Sequence, residues 1–219
     1  MNEMPEEMKT FFNTRADIYD TQQIKNIDGG EKCYHEIAQH IPSHTKTLLD
    51  LGCGTGLELE SIFTKFPEIE VTGIDFADKM LGKLAAKYSK YSINLINSSY
   101  FTVDMGTQKY DAVISVMSFH HFTHSQKLKL YTNVFRCLKD DGVFIECDYM
   151  IGSNDSNIEA QFLSEREKLI MDYNLTENFY HYDIPFTIKH EMSLLTESGF
   201  KSVKKIWGIE NTIMILSTK

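Results

Sequence analysis

Residues Leu48–Gly56 read LLDLGCGTG, and this stretch decides how the rest of the chain is interpreted. It passes from an apolar run, typical of a buried strand, into a turn with three glycines, and a helical pattern follows. Glycines let the backbone bend tightly and approach a ligand closely, and the next helix offers unpaired amides. Because structural turns also use glycine, the turn alone does not establish a ligand site.

The spacing of the glycines argues against a dinucleotide site. A dinucleotide-binding turn has the pattern G-x-G-x-x-G, whereas here Gly56 comes one position early and Leu57 takes the place of the third glycine. Asp50 precedes the first glycine, where a carboxylate would repel a pyrophosphate but would suit a ligand with an ammonium group and a sulfonium. Asp75 ends the second predicted strand, where a carboxylate can accept hydrogen bonds from both ribose hydroxyls. The stretch therefore disfavours a nicotinamide oxidoreductase.

Composition and charge are those of an ordinary globular protein. The chain has 219 residues, of which 42% are hydrophobic and 24% charged, and its formal net charge is −9. This balance disfavours a nucleic-acid partner, since a phosphate backbone is bound by clustered Lys and Arg. No apolar run approaches the roughly 20 residues that span a bilayer, and no signal peptide is predicted. The four cysteines lack metal-type spacing and are interpreted as reduced thiols of a cytoplasmic protein.

Short apolar runs alternate with helical patterns along the chain. Strands are predicted at Thr47–Leu51, Glu70–Ile74, Ile93–Ile96, Ala112–Met117, Val143–Cys147, Val203–Ile206 and Thr212–Leu216. Helices are predicted at Pro5–Tyr19, Gly30–His40, Leu57–Lys65, Asp78–Tyr88, Gln126–Leu138, Asn157–Tyr173 and Ile188–Glu197. Strands separated by helices indicate a parallel sheet with helices on both faces, whereas the last two strands should form an antiparallel hairpin. The predicted fold class is α/β, Rossmann-like, with a mostly parallel seven-stranded sheet.

Four segments resemble motifs of the class I methyltransferases that depend on S-adenosylmethionine (SAM). Asp50–Gly56 is similar to their first motif, and Gly73–Leu81 to the second, whose acidic residue holds ribose and whose apolar neighbour packs on adenine. Tyr110–Ser115 resembles the fourth-strand motif, and Leu138–Phe144 the turn into the fifth strand, although two aspartates replace its usual Pro and Gly. The resemblance covers nearly the whole chain and implies the small-molecule branch, similar to ubiquinone-type enzymes and to methyltransferase domain 25.

The resemblance implies which residues contact SAM. They lie in the N-terminal helix, the glycine turn and the ends of strands: Arg15, Tyr19, Asp50, Gly52, Cys53, Gly54, Gly56, Asp75, Phe76, Met80, Ser98, Ser99, Tyr100 and Val116. One of them departs from the family pattern, because Ser98 stands where the family usually has an Asp that accepts a hydrogen bond from the adenine amino group. A hydroxyl can accept that bond more weakly than a carboxylate.

Phe11–Asp20 resembles the F-x-x-x-A-x-x-Y-D helix of small-molecule methyltransferases. In that group the helix closes over the cofactor, so Tyr19 is a candidate lid and catalytic residue near the methyl donor. Arg15, one turn earlier, is a candidate contact to a carboxylate or to the substrate. The alternative is an amphipathic helix whose apolar side chains pack on the core.

Three histidines follow the fourth predicted strand within Val116–His124, at the end of the sheet where open α/β folds bind ligands. His120 or His121 could act as a general base, could bind a metal with His124, or could cap and pack the next helix. Metal binding is the least favoured use, because no acidic residue or cysteine lies nearby in sequence to complete a site. We therefore predict no metal, while the catalytic and structural uses stay open.

Tyr149–Phe186 lies where the family inserts its substrate cap. The aromatic part, Phe179–Phe186, suits a small organic acceptor, a dimer contact or plain core equally well. Polar side chains in and beside it are candidate acceptor contacts: Asp148, His181, Tyr182 and Asp183.

The expected protein is one methyltransferase domain over residues 1–219. Within it we expect a helical lid (1–41), a SAM-binding half (42–149), a cap insertion (150–186) and a closing helix and hairpin (187–219). The expected function is in-line transfer of the SAM methyl group to oxygen, nitrogen, sulfur or carbon of a small molecule, by a monomer or homodimer without a membrane partner. The alternatives are a peptide or nucleic-acid methyltransferase and a non-catalytic module that binds SAM or another nucleoside.

Overall fold

The computed structural model describes residues 4–152, 156–175 and 179–219. These residues form seven strands: β1 (Thr47–Leu51), β2 (Glu70–Asp75), β3 (Ile93–Asn97), β4 (Tyr110–Val116), β5 (Leu138–Tyr149), β6 (Ser202–Ile209) and β7 (Thr212–Thr218). They also form eight α-helices: α1 (Met8–Arg15), α2 (Tyr19–Asn26), α3 (Gly30–His40), α4 (Leu59–Lys65), α5 (Asp78–Lys87), α6 (His124–Cys137), α7 (Ser156–Tyr173) and α8 (Ile188–Glu197). Residues 1–3 of the predicted lid and 153–155 and 176–178 of the predicted cap lie outside the described ranges.

The strands form one sheet in the order β3-β2-β1-β4-β5-β7-β6. β1 to β5 are parallel to one another, whereas β7 is antiparallel to both β5 and β6. The chain moves in opposite directions along the sheet from β1 and from β4, so the loops after these two strands diverge. Such a crevice is where open α/β sheets bind ligands. The order and directions confirm the predicted fold class, including the antiparallel hairpin.

Two apolar cores cover the two faces of the sheet. Neighbouring residues of a strand point to opposite faces, so Leu49 and Val113 belong to the core beneath α6 and α8. Leu48 and Ala112 belong to the core beneath α3, α4 and α5. Because both faces are buried, the central strands are continuously apolar instead of alternating with polar residues.

The N-terminal segment differs from the single helix predicted over Pro5–Tyr19. It forms two helices separated by a turn at 16–18, and the second helix begins at Tyr19. Asp20 anchors this second helix, because it accepts a hydrogen bond from the Thr55 hydroxyl and pairs with Lys87 at 2.9 Å. These contacts with the glycine turn and α5 redirect the chain, and helical periodicity carries no signal for them.

Smaller differences affect the ends of other elements. Leu138 was predicted to end a helix, but it begins β5, because it pairs with Tyr110 of β4. The four cysteines are buried and free, as predicted for reduced thiols. Within the described ranges, no helix combines the length and apolarity that a bilayer crossing requires.

Candidate functional site

The glycine turn after β1 forms the floor of a narrow cavity. Gly52 has a φ of +78°, and a Cβ there would collide with the hydroxyl of Ser118, so glycine is required. Gly54 has a φ of +47°, and a Cβ there would approach the ring of Tyr19 at 4.0 Å, in the space above the turn. The backbone is therefore open to a ligand at Gly54.

Asp75, at the end of β2, is fixed against this turn. Its Oδ2 accepts a hydrogen bond from the Gly54 amide at 3.0 Å, and its Oδ1 accepts one from the Ala77 amide at 2.8 Å. Burial raises the pKa of Asp75 to about 6, against the opposing effect of these amides. Each carboxylate oxygen retains further acceptor capacity, so Asp75 can bind the two hydroxyls of a ribose.

A second pair of carboxyl groups, Asp50 and Glu58, lies beneath the turn. Asp50 is 1% exposed and Glu58 is 4% exposed; the two carboxyl groups hydrogen-bond to each other, and Asp50 Oδ2 and Glu58 Oε1 have no other partner. Burial and the repulsion by Glu58 raise the pKa of Asp50 well above its usual range, and burial also raises the pKa of Glu58. An unpaired buried carboxylate is costly, so a cationic ligand group would stabilise the pair. Glu58 was not predicted, although its place directly after the glycine turn was a usable signal.

Side chains from four parts of the chain enclose the narrow cavity. They come from α1, from the start of α2, from the β2–α5 connection with the first turn of α5 and from the segment after β3: Met8, Phe12, Tyr19, Phe76, Met80 and Tyr100. The cavity has a volume of about 30 Å³, which is roughly the share of one molecule in liquid water. Side chains of α1 and α2 therefore occupy part of the space above the glycine turn, and the lid role stays a prediction.

Exposed polar contacts join α1 and α2 to the body of the protein. Asn13 Nδ2 donates to Asp78 at 3.1 Å, and Lys83 pairs with Asp17 at 2.7 Å. Exposed pairs of this kind contribute little to stability, so the segment is held mainly by its buried contacts, such as those of Met8 and Ala16.

A larger cavity of about 450 Å³ lies beside the narrow one. Phe12, Tyr19, Met117 and His121 line both cavities and form the boundary between them. Met117 has a φ of +51°, and its amide donates to the Cys147 carbonyl at 2.8 Å. A positive φ is uncommon for a residue other than glycine and costs roughly 1–3 kcal/mol. Met117 directly follows β4 and lines both cavities, so the end of β4 lies between them.

The lining of the large cavity comes from widely separated segments. Besides the four boundary residues it comprises Phe11, Arg15, Gln22, Gln23, Asn26, Ile27, Asp28, His120, Tyr149, His181, Asp183, Asn211 and Thr212. Arg15 therefore lies at this cavity and not among the residues that line the narrow one. Its guanidinium pairs with Glu6 at 3.0 Å and stacks 3.7 Å from the ring centroid of Phe11, so its charge is already compensated.

Asp148 holds the imidazole of His120. His120 Nδ1 lies 2.5 Å from Asp148 Oδ1, and Asp148 Oδ2 accepts from the amides of Phe119 and His120 at 2.7 and 3.0 Å. Burial alone would raise the pKa of Asp148, but the adjacent His120 holds it below its usual range. Burial opposes the charged form of His120, yet Asp148 raises the pKa of His120. Asp148 is 1% exposed and is not among the residues that line the large cavity, so the acceptor contact predicted for it stays a prediction.

Asp183 joins the two histidines at the cavity wall. Its Oδ1 lies 3.2 Å from His121 Nδ1 and 3.6 Å from His120 Nε2. Burial and the charge of His120 lower the pKa of His121. Burial would raise the pKa of Asp183, but the hydrogen bond from His121 and the charge of His120 hold it well below its usual range. His181 stacks on Phe11 with ring centroids 3.5 Å apart, and burial beside His121 lowers the pKa of His181 to about 4.

Comparisons with known proteins agree with this geometry. Residues 48–142 match the family described as the methyltransferase domain. The chain is 21% identical to the carboxy-S-adenosyl-L-methionine synthase of Nautilia profundicola, over 84% of this chain and 82% of that protein. The match over residues 48–142, the relatives and the fold together support a class I SAM-dependent methyltransferase. The chain is therefore an enzyme, and SAM is its cofactor.

Two further relatives of this methyltransferase match over part of their own length. The malonyl-[acyl-carrier protein] O-methyltransferase of Priestia megaterium is 25% identical over 57% of this chain and 46% of that protein, so the matched segment spans about half of it. The solved structure of a putative O-methyltransferase from Nostoc punctiforme superimposes with a TM-score of 0.70 at 18% identity, over 95% of this chain and 60% of that chain. This likeness concerns the fold.

The residues of the glycine turn fit SAM. The unpaired oxygens of Asp50 and Glu58 suit its ammonium group, Asp75 suits its ribose, and Gly54 leaves the backbone open between them. When bound, SAM supplies a methyl group on a positively charged sulfur, which is an excellent leaving group. The chain therefore has to bind and orient SAM and the acceptor and to exclude water. It does not have to activate the methyl donor.

The other predicted cofactor residues lie around the turn at different depths. Cys53, Gly56 and Val116 line a small cavity together with Glu58. Ser99 lines an apolar cavity beside Phe76 and Tyr100. The adenine contact predicted for Ser98 stays a prediction, since its hydroxyl lies 3.5 Å from the Ser99 carbonyl and lines none of these cavities.

The ring of Tyr182 does not line the large cavity, and the acceptor contact predicted for this residue stays a prediction. Tyr182 lines a separate cavity with Arg166, and its hydroxyl donates to Glu165 at 3.1 Å. Its backbone carbonyl lies 3.3 Å from His121 Nδ1, so Tyr182 contributes to the wall through the main chain.

Proposed function

We propose that this enzyme methylates a small organic molecule bound in the large cavity. The observation that carries the proposal is that this cavity adjoins the narrow one, with Tyr19 and Met117 at the boundary, and extends to the imidazole of His120. Its volume of about 450 Å³ lies within the range of small-molecule sites, roughly 300–1,000 Å³. A folded peptide or a nucleic-acid duplex is larger than this volume.

The charge of the lining favours a neutral or cationic acceptor. Among the described residues that line the large cavity, Arg15 is the single lysine or arginine, and Glu6 compensates it. Asp28 and Asp183 add carboxylates to the same lining. An anionic acceptor would have to leave water without a free cation to receive it. The acceptor named for the Priestia relative, a malonyl-[acyl-carrier protein], is therefore not proposed for this chain.

The wall formed by His120, His121 and Asp183 orients the acceptor atom that attacks the methyl group of SAM. It offers imidazole and carboxylate lone pairs to an acceptor hydroxyl or amine, and Asp148 holds the ring of His120 in one orientation. In-line placement of the nucleophile and the methyl group supplies most of the rate in such a displacement. The wall therefore acts mainly through orientation, and Tyr19 completes the enclosure from α2.

The test is a transfer assay with methyl-labelled SAM. Panels of phenols, catechols, amines and simple carboxylic acids would be compared with peptides and nucleic acids. We expect turnover of neutral or amine acceptors, and lower kcat in Asp148→Asn with unchanged SAM affinity. Asp104→Asn, whose side chain is 86% exposed, serves as the matched control. Turnover restricted to carboxylic acids, peptides or nucleic acids would contradict the proposal.

A further inference from the structure

We propose that His120, His121 and Asp183 bind a divalent first-row transition metal ion at the wall of the large cavity. One potential ligand atom from each residue lies within 4.8 Å of the other two, and all three residues line the cavity. The site goes beyond the proposed function, because displacement of a methyl group from SAM does not by itself require a metal. The prediction of no metal depended on the lack of a nearby acid in sequence, and the fold brings Asp183 to the histidines.

The distances within this group match the spacing of metal ligands. Asp183 Oδ1 lies 3.2 Å from His121 Nδ1 and 3.6 Å from His120 Nε2. Ligands held at about 2.0–2.1 Å from a tetrahedral ion lie roughly 3.3–3.4 Å from one another. Two of the three separations therefore match one shared ion, and the third is within 4.8 Å.

Asp148 supplies the outer support that metal-bound histidines require. It contacts His120 Nδ1 at 2.5 Å, and three backbone amides, those of Phe119, His120 and Tyr149, hold Asp148 in turn. A histidine that binds a metal usually donates its other ring N–H to a carboxylate, which fixes the tautomer and the ring orientation. Here this contact leaves Nε2 of His120 on the side of Asp183.

The buried polar atoms of this group point to the same ligand. The His121 side chain is 2% exposed, and its Nε2 is buried without a hydrogen-bond partner. Asp183 Oδ1 faces the ring nitrogens of both histidines. The rings of His120 and His121 lie 4.0 Å apart between centroids, so two charged imidazoles would repel each other there. A divalent ion would neutralise the charge of Asp183 and accept a lone pair from each neutral imidazole.

A second group has the same composition but lacks the converging geometry of a metal site. His124, His190 and Glu159 also combine two imidazoles with a carboxylate. Both ring nitrogens of His190 are used, since Nδ1 contacts Glu159 at 2.8 Å and Nε2 contacts His124 Nδ1 at 3.0 Å. Its groups form a chain of pairs and leave no converging lone pairs, so this group provides a matched control.

The ligand set favours particular ions. Two imidazoles and one carboxylate suit Zn²⁺, Co²⁺ or Fe²⁺ better than Mg²⁺ or Ca²⁺, which prefer oxygen ligands. Three protein ligands leave at least one position open, as in catalytic zinc sites, and here that position faces the large cavity. An acceptor oxygen bound at that position would be oriented and would lose its proton more easily.

The experiment measures metal binding directly. The full-length chain, freed of any affinity tag and of metal by a chelator, is titrated with Co²⁺ while its visible absorption is followed, and then with Zn²⁺ and Mg²⁺. We expect one Co²⁺ per chain, displaced by Zn²⁺ and not by Mg²⁺. Asp183→Asn and His121→Gln should each weaken Co²⁺ binding at least tenfold, and Asp148→Asn about ten- to hundredfold. His190→Gln should bind Co²⁺ like the wild type.

The outcomes are unambiguous because folding is measured separately. The Asp183 side chain is 42% exposed, so Asp183→Asn should retain the fold, and SAM binding verifies this for each variant. Co²⁺ should also raise the thermal unfolding temperature of the wild type and not that of Asp183→Asn. Absence of saturable Co²⁺ absorption, or equal affinity in wild type and Asp183→Asn, overturns the site. Neither readout requires an acceptor, so failure here is separate from failure of the proposed function.

Discussion

The narrow cavity and the large cavity differ in how far apart their residues lie in sequence. The floor of the narrow cavity comes from the glycine turn, and Asp75 follows Gly54 by one strand–helix–strand step. The large cavity combines α1 and α2 with His120, Asp183 and Thr212. The cofactor side is therefore encoded by local motifs that strand pairing brings together. The acceptor side depends on long-range packing, which leaves it free to vary while the cofactor side is kept.

The largest expected effect tests the local side of this comparison. Asp75→Ala should weaken SAM and S-adenosylhomocysteine by about 2–4 kcal/mol, or roughly 30- to 1,000-fold, because a charged acceptor of two ribose hydroxyls is lost. Calorimetric titration measures the affinity of each variant for both ligands. Asp104→Asn, on the exposed surface, is the control. An unchanged SAM affinity in Asp75→Ala would mean that the narrow cavity is not the cofactor site.

The next effect tests the long-range side. Asp148→Asn should lower kcat about ten- to hundredfold, because the His120 ring loses the carboxylate that orients it. Steady-state kinetics with the best acceptor of the panel gives kcat, and calorimetry gives the affinity for SAM, which should stay unchanged. If SAM affinity falls as much as kcat does, the two cavities are not separable.

A smaller effect sharpens the assignment of the carboxyl pair beneath the turn. Glu58→Gln should weaken SAM about tenfold, since a hydrogen bond to a charged group contributes roughly 1.5–3 kcal/mol. The binding of 5′-methylthioadenosine, which lacks the ammonium group, should not change. Equal losses for both ligands would show that Glu58 supports the turn as a whole and does not bind the ammonium.

The smallest effect concerns the segment that covers the narrow cavity. Asp17→Asn removes the exposed pair with Lys83 and should speed SAM dissociation by at most about fivefold, since water screens such a pair. Hydrogen exchange of α1 and α2 should slow when SAM binds, because the helices close over it. Exchange that does not respond to SAM would exclude α1 and α2 as a lid.

Local patterns predicted the elements of the sheet well, and the misses have physical causes. The apolar runs around Leu48 and Val113 mark strands because both faces of the sheet are buried. The break before Tyr19 was missed, since contacts made by Asp20 with other elements create it. The division into lid, SAM-binding half, cap and closing segment, and the oligomeric state, stay predictions.

By itself the sequence determined the fold class, the family and the cofactor, because these depend on residues close together in the chain, such as Asp50 with Gly54. Strand and helix periods and the geometry of a glycine turn are local properties that can be recognised in one dimension. Only the tertiary structure decided what surrounds His120, because Asp148 and Asp183 lie 28 and 63 residues away in sequence. Packing α8, the 179–183 segment and the ends of β4 and β5 together creates that environment, and the free energy of such packing is not contained in any single segment.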